Sequence, residues 1–207
     1  MTLPRKGEYA GGVSLFGQFC EVNAMRRTML WMACGIALAA GVGVACGQTD
    51  ETTAKKSTEV KVKLTNSQGQ PAGTVIFKPV KQGVKMTVKL ENMPFGEHAV
   101  HIHEHAVCDA PDFKAAGGHF NPMGKHHGFQ NPEGHHAGDT PGNVSVGENH
   151  RGQATFVLRD VSMDPSAPNS IFANGGTSVV VHEHGDDQKT DPSGNSGNRI
   201  ACGVVKE

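Results

Sequence analysis

Residues 97–108 read EHAVHIHEHAVC, and four of these twelve positions, His98, His101, His103 and His105, are histidine. Apolar residues alternate with the imidazoles here, which is the period of a strand with one face buried. On a strand, side chains at i and i+2 share a face, so His101 and His103 stand side by side, close enough to meet one ion. His98 has the opposite parity and is expected to be a buried histidine hydrogen-bonded to backbone. His105 falls where the run breaks and is expected at the surface.

Working outward, the chain after Ser57 offers short alternating runs and almost no helical period. The runs are residues 60–64, 73–77, 84–90, 98–103, 154–158, 178–182 and 200–205, separated by clusters such as Asn66–Gln70 and Asn92–Gly96. About eight short strands punctuated in this way predict an all-β antiparallel sandwich or barrel. Two long segments break the pattern, Cys108–Gly142 and Gly185–Asn198. A loop as long as the first needs something to hold it. Ten of the twelve histidines lie between His98 and His150, and inside this loop sit His119, His126, His127, His135, His136 and Asp139. A metal bound by such residues would order the loop at several points. The run VVVHEH (residues 179–184) ends a buried-looking strand in His182, whose imidazole would be costly to bury without a partner; His184 is expected in solvent. Imidazole and carboxylate three residues apart, His136 and Asp139, suit Zn²⁺, and imidazole clusters without thiolate suit copper or zinc rather than calcium or magnesium.

The front of the chain reads differently. Arg26 and Arg27 precede an uncharged apolar run, Met29–Ala45, of signal-peptide length and marginal as a membrane span. It ends in GVACG (residues 43–47), which resembles a bacterial lipoprotein cleavage box with Cys46 as the lipidated residue; ordinary cleavage near Ala45 is the alternative. Residues 1–45 are thus expected to be a leader whose true start is Met25, with the signal at 25–45. Residues 46–57 form a polar tether without bulky apolar side chains, and 58–207 form the folded domain. The formal charge of the whole chain is −1, which gives no reason to expect a nucleic-acid partner. Of five cysteines, only Cys108 and Cys202 belong to the domain. Behind an export signal they are expected to pair, with two buried thiols as the alternative.

The motifs HAVHIHE (98–104), GGHFNP (117–122), HHG (126–128), HHAGD (135–139), GN (142–143), VVVHE (179–183) and GNSGNRIACGVV (194–205) occur in one order. Together they resemble the copper/zinc superoxide dismutase family in its bacterial exported form, over essentially all of residues 58–207. The resemblance implies a Greek-key β-sandwich with two long functional loops. It implies copper at His101, His103, His119 and His182, zinc at His119, His127, His136 and Asp139, and one ion of each per chain. His119 would be shared, and within the two doublets His126 and His135 would be bystanders. Asp186 would link His101 to His127, Arg199 would attract the superoxide anion, and Cys108–Cys202 would be the family disulfide. The implied reaction converts superoxide to O₂ and H₂O₂, with copper cycling between Cu(II) and Cu(I) and His119 supplying a proton. Lys189, the single lysine of the second loop, is the expected steering charge. The implied setting is the bacterial envelope, periplasmic or anchored through Cys46, with homodimer and monomer both open. An exported copper or zinc buffer without dismutase activity is the competing reading; four histidines at the copper positions and the presence of Arg199 argue against it.

Overall fold

The computed structural model describes residues 59–207. The leader, its start at Met25, the tether and Cys46 lie outside the described residues.

Nine antiparallel strands form one sheet: β1 (Val60–Asn66), β2 (Pro71–Val80), β3 (Gly83–Glu91), β4 (Gly96–His98), β5 (Val100–His103), β6 (Val144–Val146), β7 (Arg151–Leu158), β8 (Thr177–His182) and β9 (Arg199–Val205). Their order is β4-β6-β7-β3-β2-β1-β9-β8-β5. The chain leaves β3 past β7 and β6 to reach β4, the Greek-key habit of returning beside a non-neighbour. The count exceeds the expected eight for two reasons. The three-residue β6 is too short to carry a period, and the run at 98–103 is split at Ala99 into β4 and β5.

That split nearly closes the barrel. β4 and β5 are consecutive in the chain yet occupy opposite edges of the sheet. Between them the Ala99 amide donates to the His184 carbonyl, and the Ala99 carbonyl accepts from the His182 amide, both at 2.9 Å. The sheet is thereby nearly closed, and little of its edge is left to pair with another chain. His98, at the seam, is 1% exposed and spans it, with Nδ1 2.8 Å from the His182 carbonyl and Nε2 2.9 Å from that of Pro94. This is the backbone-bonded role expected of it.

Alternation decides what fills the barrel. Val62 and Leu64, Val75 and Phe77, Val84, Met86, Val88 and Leu90, Val100 and Ile102, Phe156 and Leu158, and Val179 and Val181 all point inward and are buried. Their strand neighbours face outward, so β5 turns His101 and His103 to the outer side, where the long loops cover them. The loops are held by backbone: the Ile102 amide donates to Gly138 (2.9 Å), while the Phe120 amide donates to Ile102 and the Gly138 amide to Phe120 (both 2.8 Å). A Cβ on Gly138 would lie 2.3 Å from the Ile102 carbonyl oxygen, so no other residue fits this crossing. A smaller cluster lies outside the barrel, where Phe113 and Ala116 pack on Val180 and on the Cys108–Cys202 disulfide. That crosslink joins residues 94 positions apart and stabilises the fold by about 4–5 kcal/mol in the chain-entropy account.

Candidate metal centre

Seven buried side chains meet beneath the loops. Strand alternation brings His101 and His103 from β5, and the same alternation places His182, at the end of β8, on the outer face with Val180. The covering loop adds His119, which bridges to His103 through backbone, then His127, His136 and Asp139. They fall into two groups of potential ligand atoms, each within 4.8 Å of one another: His101, His103, His119 and His182, and His119, His127, His136 and Asp139. His119 belongs to both.

Hydrogen bonds fix which nitrogen of each ring keeps its lone pair. His101 Nε2 donates to Asp186 Oδ2 and His127 Nε2 to Asp186 Oδ1, both at 2.9 Å, so one carboxylate orients a ring in each group and frees both Nδ1 atoms. His103 Nδ1 donates to the Gly117 carbonyl at 3.0 Å. His182 Nδ1 faces Ser196 Oγ at 3.1 Å, and the Nε2 atoms of His103 and His182 are left 3.3 Å apart. His101 Nδ1 and His119 Nε2 are buried without any protein partner. On the other side, Asp139 Oδ1 lies 2.7 Å from His119 Nδ1 and 3.2 Å from the Nδ1 atoms of both His127 and His136. Asp139 Oδ2 accepts from the amides of Gly128 (2.9 Å) and His136 (3.0 Å), which fixes the carboxylate in place.

Buried lone pairs aimed at one another are costly, and a cation removes that cost. The residues therefore fit two ions. Four imidazoles without a carboxylate suit copper, while three imidazoles and one carboxylate suit zinc.

Charge is arranged to match. Burial pushes His103 and His182 well below the usual histidine value, and neighbouring imidazoles add to this. Burial, then His101, takes His119 down to about 3. Burial would also lower His127, but the carboxylates of Asp139 and Asp186 overcome it and raise the ring to about 9. Both carboxylates are held well below the ordinary range: burial opposes their charge, and hydrogen bonds from the surrounding imidazoles outweigh it.

A cleft of about 530 Å³ opens onto His103, His119 and His182, with Arg199, Pro192 and Gly197 on its wall. Arg199 starts β9 opposite His182. Its Nη1 donates to the Phe113 carbonyl (2.8 Å) and its Nη2 to that of Gly117 (2.7 Å), the same carbonyl that takes His103 Nδ1. Phe113 adopts φ 53°, a left-handed conformation that is strained for a bulky residue, with its ring buried against the disulfide cluster. The buried ring anchors the carbonyl that holds the guanidinium.

The other histidines take no part. His126 is exposed, with Asp191 (2.8 Å) and then Glu133 (2.9 Å) raising its pKa. His135 stacks on Phe129 (centroids 3.7 Å apart) and faces Asp160. His105 and His184 are exposed, and His150 Nδ1 contacts the Met93 carbonyl. Lys189 is exposed but does not line the cleft; Lys114 does line a depression adjoining Arg199, paired with Asp112 at 3.1 Å. Two supporting residues escaped the sequence reading. Asp191 Oδ1 accepts the His127 amide, tying the two loops together, and Asn143 Oδ1 accepts the Asp186 amide at 2.8 Å. Only the pair Gly142–Asn143 carried any signal, as a motif without a role.

Residues 71–205 match the family model described as copper/zinc superoxide dismutase. The chain is 44% identical over 144 residues to a Cu-Zn superoxide dismutase of Aquifex aeolicus, covering 69% of this chain and 85% of that one. It is similar to the crystal structure of a double mutant of a superoxide dismutase-like protein from Bacillus subtilis, with TM-score 0.68 and 38% identity over 71% of this chain and 97% of the other. The Cu/Zn superoxide dismutase of Brucella abortus gives TM-score 0.58 at 29% identity, over 72% and 100% of the two chains.

The titration of the cluster predicts how stability follows pH when no metal is present. His103, His119 and His182 have folded values below the ordinary 6.5, so their contribution is full above 6.5 and is lost as pH falls through the folded values, about 3 for His119. His127 behaves oppositely: its contribution is full below 6.5 and is lost as pH rises through about 9. The urea midpoint of metal-free, disulfide-intact protein is expected to peak near pH 6.5 and decline on both sides. A midpoint that rises toward pH 4 would contradict these assignments.

Proposed function

The chain belongs to the copper/zinc superoxide dismutase family, and on that premise we propose that it disproportionates superoxide to O₂ and H₂O₂. The observation that carries this reading is the division of the two nitrogens of His119, Nε2 toward His101, His103 and His182 and Nδ1 toward Asp139, His127 and His136. His101, His103, His119 and His182 would hold copper, and His119, His127, His136 and Asp139 would hold zinc. Bound there, copper would supply a one-electron redox couple for superoxide, and zinc would supply a fixed positive charge.

The residues of the chain do the rest. His119 Nε2, buried and without a protein partner, is the atom placed to hold and release a proton at the floor of the cleft. Asp186 locks the rings of His101 and His127, so that lone pairs and not N–H groups face the two groups. Arg199 gives the cleft a half-buried cation for a substrate too small to offer many contacts. A guanidinium about 6 Å from an anion, at an effective dielectric near 20, attracts it by roughly 3 kcal/mol. A metal buffer would need neither the cleft nor a braced guanidinium, and their presence favours the enzyme over the buffer.

Export places this chemistry in the cell envelope, in the periplasm or at the membrane through lipidated Cys46, where it would protect the envelope from superoxide. Support for this comes from the apolar run at 29–45 and the residues around Cys46. The intact mass of the mature protein is expected to show a chain starting at Cys46 with added acyl mass; a chain that retains Met25 without acylation would refute it.

Arg199→Ala is expected to lower the turnover of superoxide by about ten- to a hundredfold with copper and zinc content retained. Activity within twofold of the parent would discard the role of Arg199, and His101→Ala serves as the inactive control. Phe113→Ala is expected to lose activity several-fold in the parent and almost none in the Arg199→Ala background, because its ring acts through the guanidinium.

A further inference from the structure

Charge is distributed unevenly over this barrel. Residues 59–207 carry 13 Lys or Arg and 16 Asp or Glu. The outer face of β1, β2, β3 and β7 takes Lys61, Lys63, Lys78, Lys85, Lys89 and Arg151 against only Glu91 and, just before β1, Glu59. All the rest of the described surface and interior is left with seven basic and fourteen acidic side chains.

Register turns these positions into a surface. Lys63, Thr74, Lys89 and Gln153 lie side by side across the four strands, and Lys61, Ile76, Thr87 and Thr155 form the next row. Lys78 sits directly opposite Lys85, a like-charge pair that destabilises a sheet, and only Glu59 at 2.6 Å from Lys78 relieves it. Between Lys89 and Arg151 lies a shallow depression of about 340 Å³, floored by Leu90, Gly152 and Gln153. Four strands about 4.8 Å apart make a patch roughly 15 Å wide, broad and without a deep cleft.

The strand order sets which way this face looks. β5 and β8 supply His101, His103 and His182, and β2 and β3 lie at the middle of the order, on the far side of the closed barrel. Anything seated on the basic face therefore leaves the metal cleft open. Cys46 lies 14 positions before Val60, the first residue of β1, so the chain enters the barrel through a strand of this same face.

We propose that the outer face of β1, β2, β3 and β7 docks on an anionic bilayer surface, its lysines over the headgroups and a lipid phosphate between Lys89 and Arg151, with the metal cleft turned away. A lysine gains from anionic headgroups only within about a Debye length, so the contact is salt-sensitive. It depends neither on dismutase activity nor on acylation of Cys46, because the attraction comes from the face itself.

The test is lysine acetylation of the full chain, read residue by residue by mass spectrometry with three additives: phosphatidylglycerol-containing vesicles, pure phosphatidylcholine vesicles and soluble dextran sulfate. Lys61, Lys63 and Lys89 are expected to react at least about fivefold more slowly on anionic than on neutral vesicles, and to recover at about 0.5 M salt. Lys125 and Lys189, on the loops around the metal centre, are expected to change by less than about twofold, and Lys63→Gln with Lys89→Gln to abolish the protection of Lys61. Equal rates on both kinds of vesicle would overturn the proposal, as would protection of Lys125 and Lys189 first. Protection by dextran sulfate where anionic vesicles give none would assign the face to a soluble polyanion and overturn it equally.

Discussion

Everything at the metal centre depends on a single imidazole with a different task for each nitrogen. His119 Nδ1 is held by Asp139 at 2.7 Å, while its Nε2 is buried among His101, His103 and His182 with nothing from the protein to bond. Without ions the seven side chains are a liability, since burial and the neighbouring imidazoles hold His103, His119 and His182 neutral while His127 is charged between two carboxylates. With two cations the same arrangement becomes saturated. Stability and chemistry are thus two consequences of one placement.

The fold delivers that placement by closing the barrel at Ala99 and hanging the long loop on the backbone of β5. Ile102 faces the core with its side chain, while its amide and carbonyl hold Gly138 and Phe120. The histidines on either side, His101 and His103, are thereby registered against His119 and Asp139 within the same few residues of chain. The disulfide and the ring of Phe113 do the corresponding work for Arg199, which shares the Gly117 carbonyl with His103. Disturbing the loop at 108–118 therefore reaches both the Arg199 guanidinium and the His103 ring.

Much of this was legible in the residues because strand alternation is a strict rule. Alternation put His101 and His103 on one face and His98 on the other, and the structure has that arrangement. The Cys108–Cys202 bond followed from there being no other cysteine in the domain, and it is formed. What escaped was whatever depends on loop geometry. Lys189, the loop's only lysine, was the expected steering charge; its segment turns toward Gly128 and its side chain does not line the cleft, a position the residues gave no way to foresee. Asp191 and Asn143 act through hydrogen bonds to the backbone of residues far away in the chain, which leave no period to read. The break at Ala99 was invisible because β4 and β5 together preserve the apparent alternation of one strand. The basic face was present as lysines two apart on β1 (Lys61, Lys63) and four apart on β3 (Lys85, Lys89), but only the cross-strand register shows that they meet.

The central claim is that one ring joins two ions. Its most direct test is elemental analysis of fully loaded protein, combined with the electron paramagnetic resonance of its copper before and after selective removal of zinc. One copper and one zinc per chain, with a copper spectrum that changes when zinc leaves, is the expected result. A single ion per chain, or a copper spectrum indifferent to zinc, would contradict the shared role of His119.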